Sequence, residues 1–365
     1  MSYRDVSYIT ARDFCREVFD SYGFAGRESA LITDVLLRAD LYGIESHGIQ
    51  RLIRYHMEIA GGLVDVSAQP AVVFETPVSA VLDARKAMGQ LTAAGAMEMA
   101  IQKAGQSGIG MVAVRNSNHY GIAGYYTQMA VEKDLVGVCM TNTEAICVPT
   151  FGKQAMLGTN PIALAVPAEP YAFSFDASMT VVPRGKLEVY KKSEKPMPDN
   201  WAVDQHGKPT NDAAEVLGNI IAKRGGGIAP LGGLGELFGG HKGYGLAAIV
   251  DICTGIFSGG MTSNHVNVTP GETDICHFFM AIDYGLFGSK AEIKARLSAF
   301  MRELRASRKA DGQERIYTHG EKERERMEKR IVSSFPVNEK TWGEMRDIAR
   351  ERQIDFSAYF KEESV

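Results

Sequence analysis

Ten of the 21 residues from Gly225 to Gly245 are glycine, and the run leads into an apolar stretch, GLAAIVDICTGIF, that reads as a helix. Neither helix nor strand tolerates that density, because glycine loses more backbone freedom on ordering than any other residue. The run therefore demands a loop in which backbone passes close to backbone or to a ligand, ahead of a helix start that favours anions. Two phosphate-binding loops have this outline, and neither matches. For a P-loop, Gly235 and Gly240 have the right spacing, but Lys242 is displaced by one position and Gly243 and Tyr244 follow in place of Ser or Thr. For the Rossmann fingerprint, Gly105, Gly108 and Gly110 are wrongly spaced. The 38 glycines show no period of three, and 45% of the chain is hydrophobic, which excludes collagen and disorder.

At 365 residues the chain has room for two or three domains and a large core. Its 40 basic and 44 acidic residues give a net charge of -4 without a charged tail, which excludes the electrostatic footprint of a nucleic-acid binder and leaves small anionic substrates open. Cys15, Cys139, Cys147, Cys253 and Cys276 are odd in number and form no C-x-x-C pair. Neither a structural metal nor a disulfide framework is expected, and a reducing compartment fits. No H-E-x-x-H occurs. The opening MSYRDVSYITARDF lacks the apolar core of a signal peptide. The apolar run near residue 250 is interrupted by Asp251 and is too short to span a bilayer. The expectation is a cytoplasmic protein away from membranes.

Hydrophobic spacing predicts a helical start. Thr10–Asp13 resembles a capping box ahead of Phe14, Val18 and Phe19, and Ser29 is the expected cap of a second helix ending near Gly43. A third helical run covers 51–60, closing at Gly61 and Gly62. Beyond Val64, strands are expected at 71–76, 79–84, 111–116, 135–142, 161–167, 173–176 and 275–283. Helices are expected at 91–104, 124–133, 244–257 and 291–305, with a solvated helix face at 321–330 and a last helix after Asn338. Residues 183–216, rich in Lys, Pro, Asp and Asn, read as a partly ordered crossing segment. The fold class is mixed α/β.

Five constellations carry possible chemistry. Ser46-His47-Gly48 sits in an elbow between helices, with Arg51 and Arg54 downstream. An imidazole there can exchange a hydroxyl proton, and Arg51 can grip a carboxylate in bidentate fashion. A capping serine beside a solvated histidine explains the same residues. His119, in a loop between strand and helix, is a second acid/base or an ordinary hydrogen-bonded loop histidine. Thr159 and Asn160, before Pro161, bond either a substrate or their own turn. Asp176, at a strand end before Ser178, accepts from a histidine or a ribose hydroxyl, or caps a helix. Lys242 adds positive charge to the glycine-rich loop.

In this order the motifs LYGIESHGIQRL (41–52), SNHYGIAGYY (117–126), FGKQAMLGTNPIA (151–163), WAVDQHGKPTND (201–212) and GGHKGYGLA (239–247) resemble one family across nearly the whole chain, the type 2 malate/L-lactate dehydrogenases. The resemblance implies a homodimeric, nicotinamide-dependent oxidoreductase with a non-Rossmann cofactor domain of unusual mixed sheet beside a largely helical domain. It divides the chain into a helical part of the substrate domain (1–64), a mixed part (65–120), a cofactor domain (121–290) and C-terminal helices returning to the first domain (291–365). It implies that His47 and His119 are catalytic with Arg51, that Ser46, Arg51, Thr159 and Asn160 contact substrate, and that Thr143, Asp176, Ala177, Ser178, Lys242, Gly243, Gly320 and Glu321 contact NAD, or alternatively NADP. Asp-Ala-Ser-Met-Thr replaces the family's usual Asp-Met-Ala-Thr-Ser, and Glu272 lies near the position where ureidoglycolate-type relatives carry arginine. The expected reaction is therefore interconversion of L-malate and oxaloacetate. The alternatives are another 2-oxo acid (pyruvate or sulfopyruvate), a cyclic ketimine, or a non-catalytic nicotinamide-binding protein, the last opposed by the joint presence of His47, Arg51 and His119.

Overall fold

The computed structural model describes residues 2–360. A strand that the sequence pattern does not announce, β1 (Tyr3–Ser7), runs directly into α1 (Tyr8–Asp20). Thr10 therefore lies inside the first turn, and the expected capping box is not formed. In α2 (Gly26–Tyr42) the cap is Ala25 rather than Ser29: the Ala25 amide donates to the Glu28 carboxylate at 2.8 Å. Ser29 is buried one turn further in. The helix ends as expected at Gly43, whose φ of 79° places it in the left-handed region. Two single turns, Glu45–His47 and Ile49–Arg51, then make the elbow before α3 (Leu52–Ala60).

The next elements follow the expected order: β2 (Ala71–Glu75), β3 (Ser79–Asp83), α4 (Gly89–Ser107), β4 (Ile109–Ser117), α5 (Ala123–Val131), β5 (Val136–Thr141), β6 (Ile162–Val166) and β7 (Phe173–Ala177). Residues 183–216 are not a loose crossing. They build most of a small lobe from α6 (Arg184–Lys192), β8 (Ala202–Val203), β9 (Pro209–Thr210) and α7 (Ala213–Ile221), completed by β10 (Gly227–Ile228). Leu187, Ala202, Val216, Leu217 and Ile228 form its core. Only Leu187 of α6 is buried, so that helix carries no apolar stripe for a sequence pattern to reveal. α8 begins at Gly240 rather than Tyr244 and runs to Asp251, continued by a wider π turn over Ile252–Ile256. Then come β11 (Ile275–Ile282), α9 (Lys290–Ala306), α10 (Glu321–Arg330), β12 (Ser334–Asn338), α11 (Glu339–Glu351) and α12 (Phe356–Tyr359).

Seven strands form the main sheet in the order β2-β3-β4-β11-β5-β6-β7. Only β3 and β4 are parallel; every other neighbouring pair is antiparallel. A doubly wound nucleotide fold needs a mostly parallel sheet, so the architecture is mixed α/β and not Rossmann. Small residues let α4 and α5 lie close against this sheet. Ala93, Ala96, Ala100 and Ala104 are buried beside Phe279. A Cβ on Gly110 would stand 2.0 Å from the Ala100 carbonyl, and one on Gly137 would stand 2.6 Å from that of Thr127. The helical body gathers Phe14, Phe19, Leu36, Tyr55, Trp342 and Phe356 into a second core. There β1 pairs antiparallel with β12, so distant parts of the chain meet in one unit.

Candidate active site

The elbow brings two histidines face to face. The rings of His47 and His119 are 5.7 Å apart and inclined by only 24°. Each is held by its Nδ1: His47 by the Ser46 hydroxyl at 2.8 Å, and His119 by the hydroxyl of fully buried Tyr55, also at 2.8 Å. The Gly121 amide also points at His119 Nδ1, at 3.4 Å. An amide can only donate, so this nitrogen is an acceptor and the neutral ring carries its proton on Nε2. Burial, with Arg51 and Arg54 adding to it, lowers the His47 imidazole to about 4. Burial likewise drives His119 well down, helped by Arg54, His47 and Arg51. Both rings are therefore neutral near pH 7. The Arg51 Nε donates to the Ser46 carbonyl at 2.6 Å. Its two terminal nitrogens have no protein partner among the described residues, whereas Arg54 is paired with Glu58 at 2.7 Å.

A cleft of about 610 Å³ opens beside the elbow, and His47, Arg51 and His119 are not among the residues that line it. Ile44, just before the turn of His47, and Ile122, just after the loop of His119, both line it. Asp176 and Gly320 lie along it with Arg38, Ser174, His319 and Glu323. Asp176 is the exposed residue of β7 and opens onto the cleft. Its carboxylate accepts from the Gly124 amide at 2.7 Å, which favours the charged form, while Glu323 across the cleft disfavours it. Gly320 begins α10 at a φ of 92°, and a Cβ there would meet that of Ser174 at 2.9 Å. The cleft thus offers a carboxylate and a helix N-terminus on one wall, a donor and acceptor set that fits a ribose and a phosphate. Ala177 pairs with Ile162 in the sheet, and Ser178 accepts from Thr180 at 3.3 Å.

Three expected contacts are placed differently. Asn160 is fully buried, and both side-chain atoms are engaged within the protein. Its amide donates to the Ala247 carbonyl and the Asp251 carboxylate, each at 2.9 Å, and its oxygen accepts from Ser263. Glu321 is turned inward, accepting from the Thr318 amide at 3.0 Å and pairing with Arg315, so that only its backbone is available at the helix start. Gly243 serves a backbone crossing, because a Cβ there would stand 2.1 Å from the Leu231 carbonyl. Thr143 and Thr159 stay together, with the Thr159 amide donating to the Thr143 hydroxyl at 3.0 Å. Gly158 must be glycine there, since a Cβ would sit 2.3 Å from that hydroxyl. Lys242 is exposed in the first turn of α8.

Two residues were passed over at the level of sequence. Tyr55 lies four positions after Arg51, one helical turn along α3, and was legible as the same face. Asp251 was visible as the single charge inside an apolar helix. It accepts from Asn142, Asn160, and the amide and hydroxyl of Ser263.

The chain matches the family described as malate/L-lactate dehydrogenase over residues 6–346. It is 45% identical over 338 residues to a malate dehydrogenase of Pyrococcus abyssi, covering 92% of each chain. It is 34% identical to an L-sulfolactate dehydrogenase of Methanocaldococcus jannaschii, covering 94% of this chain and 96% of that one. Among solved structures it superposes on a malate dehydrogenase from Entamoeba histolytica with a TM-score of 0.93 and 34% identity, covering 97% and 99% of the two chains.

Proposed function

The chain belongs to the malate/L-lactate dehydrogenase family, oxidoreductases acting on the CH–OH group of hydroxy acids, and from that premise we propose that it interconverts L-malate and oxaloacetate. The observation that carries this reading is the elbow: two neutral imidazoles stacked beside an arginine whose terminal nitrogens have no partner among the described residues. Arg51 grips the carboxylate next to the reacting carbon, a pairing that a planar guanidinium makes with two parallel hydrogen bonds. His47 takes the C2 hydroxyl proton as general base. His119, with its proton on Nε2, donates to the same oxygen and orients it. In the reverse direction His47 returns the proton.

A bound nicotinamide supplies the hydride acceptor. Asp176, Ala177, Ser178 and the helix start at Gly320 would hold its nucleotide, Thr143 would flank it, and Lys242 with the neighbouring glycine backbone would face phosphate. NAD is the proposed cofactor, with NADP as the alternative. The Asp176 and Glu323 carboxylates in the cleft suit a free ribose diol better than a phosphate. A homodimer is proposed because Leu246, Ile249, Ile252, Ile256 and Phe257 leave an apolar row on α8 and its π turn exposed to solvent. Among the described residues no helix is long and apolar enough to cross a membrane, and the proposed location is the cytoplasm.

A substrate panel tests the reading. Nicotinamide absorbance should fall fastest with oxaloacetate, ahead of pyruvate and sulfopyruvate. A clear preference for sulfopyruvate would favour the second reading, which the L-sulfolactate dehydrogenase relative supports. No turnover with any member of the panel would remove the proposal.

The pH dependence gives an independent check. Oxidation needs His47 neutral, and its lowered value keeps it neutral as pH falls through the ordinary imidazole range to about 4. The acid limb of kcat/KM for oxidation, which reports the free enzyme, should therefore lie near 4. A midpoint at the ordinary imidazole value of about 6.5 would reject His47 as the buried base.

A further inference from the structure

Behind the elbow lies a carboxyl group that the proposed chemistry does not use. Asp40, near the end of α2, is only 2% exposed, and acidic side chains are seldom buried this far. Its Oδ2 accepts from the Ile49 amide at 2.6 Å. The preceding residue, Gly48, lies flat against the same group, since a Cβ on it would stand 2.0 Å from Asp40 Oδ1 and 2.2 Å from Cγ. Gly48 and Ile49 are the junction between the turn that ends at His47 and the turn that ends at Arg51. We propose that Asp40 is a positioning residue, a buried clamp that fixes the spacing of the His47 imidazole and the Arg51 guanidinium. This rests on the reading of His47 and Arg51 as the working pair.

The surroundings explain why the clamp is an acid held neutral. From α1 the Cys15 thiol faces it, from the elbow Glu45, and from α10 Arg330, whose Nη1 donates to the Asp40 main-chain carbonyl at 2.6 Å. Burial raises the Asp40 carboxyl to about 8, with Glu45 pushing the same way and the Ile49 amide and Arg330 pulling back. Near pH 7 the group accepts the Ile49 hydrogen bond without carrying a charge. Above about 8 it ionises and is repelled by Glu45, whose own side chain faces solvent. That repulsion loosens the first turn of the elbow. Asparagine has the shape and the accepting oxygen of the neutral acid and cannot ionise.

The experiment uses the full chain with Asp40→Asn, Asp40→Ala and, as a control, His47→Ala. kcat and KM for L-malate are measured below and above pH about 8, together with NADH affinity in the absence of substrate. Asp40→Ala should lower kcat about 100-fold, the penalty of a misplacement of about 1 Å, with NADH affinity unchanged. Asp40→Asn should restore wild-type kcat at neutral pH and abolish the loss of kcat that the wild type shows on the alkaline side. An Asp40→Ala enzyme with wild-type kcat would overturn the proposal, and so would an Asp40→Asn enzyme that binds NADH yet is as slow as Asp40→Ala. Should Asp40→Ala not fold, an Asp40→Asn profile that superimposes on the wild type at alkaline pH overturns it alone. If His47→Ala keeps full turnover, the reading of His47 as the base, on which the clamp rests, is wrong. If His47→Ala is inactive while Asp40→Ala is fast, only the clamp is wrong.

Discussion

Replacement of His47 by alanine should lower kcat for L-malate oxidation by about 10³-fold and leave NADH affinity unchanged. The magnitude is that of a positioned general base, and the selectivity follows from the structure. His47 sits on the elbow between α2 and α3, and the Asp176 carboxylate and Gly320 helix start belong to other elements. Among the described residues its side chain makes one hydrogen bond, to its neighbour Ser46, so truncation leaves no distant group of theirs unpaired. Stopped-flow turnover and fluorescence titration with NADH separate the two quantities. A His47→Ala enzyme within a few-fold of wild-type kcat would transfer the base role to His119, the other ring of the stack. His119→Ala is the matched comparison, and it also frees the Tyr55 hydroxyl in the core, so some loss of stability should accompany its loss of rate.

Replacement of Arg51 by lysine should raise KM for L-malate about 100-fold, with a smaller fall in kcat. Two charge-assisted hydrogen bonds to one carboxylate become one contact from a point charge, and such bonds contribute roughly 1.5–3 kcal/mol each. Lysine also has no counterpart of the Nε that donates to the Ser46 carbonyl. That bond ties the arginine back to the turn of His47, so its loss accounts for the share of the effect seen in kcat. Initial rates across malate concentration at fixed nicotinamide give both constants. An unchanged KM would show that the carboxylate is held elsewhere.

Much of this was legible in the sequence because local rules sufficed. Gly43 ends α2 because only a left-handed residue closes that helix, and β3 and β6 alternate buried with half-buried positions as strands do. The Ser46–His47–Gly48 motif and the His119 loop were visible as polar breaks between regular elements. What was not legible depends on long-range pairing. β1 exists because β12 lies beside it more than 300 residues later. α6 is a helix with a single buried side chain, positioned by the lobe rather than by its own pattern. Asn160 looked like a ligand contact because nothing local shows that its partner, Asp251, arrives from α8. The glycine-rich run was legible as a place of close approach, but not what approaches: at Gly243 it is the chain's own backbone at Leu231.

The central place of β11 imposes an order on synthesis. β4 and β5 are translated early, yet the strand that joins them begins at Ile275, roughly a hundred residues after β7 ends at Ala177. At ribosomal speeds of about 5–20 residues per second, the two halves of the sheet wait about 5–20 seconds with their inner edges unpaired. Unpaired strand edges are templates for association with other chains. The nascent protein is therefore at its most vulnerable between the completion of β7 and the emergence of Ile282, and a chain truncated in that interval has no middle strand with which to close its sheet.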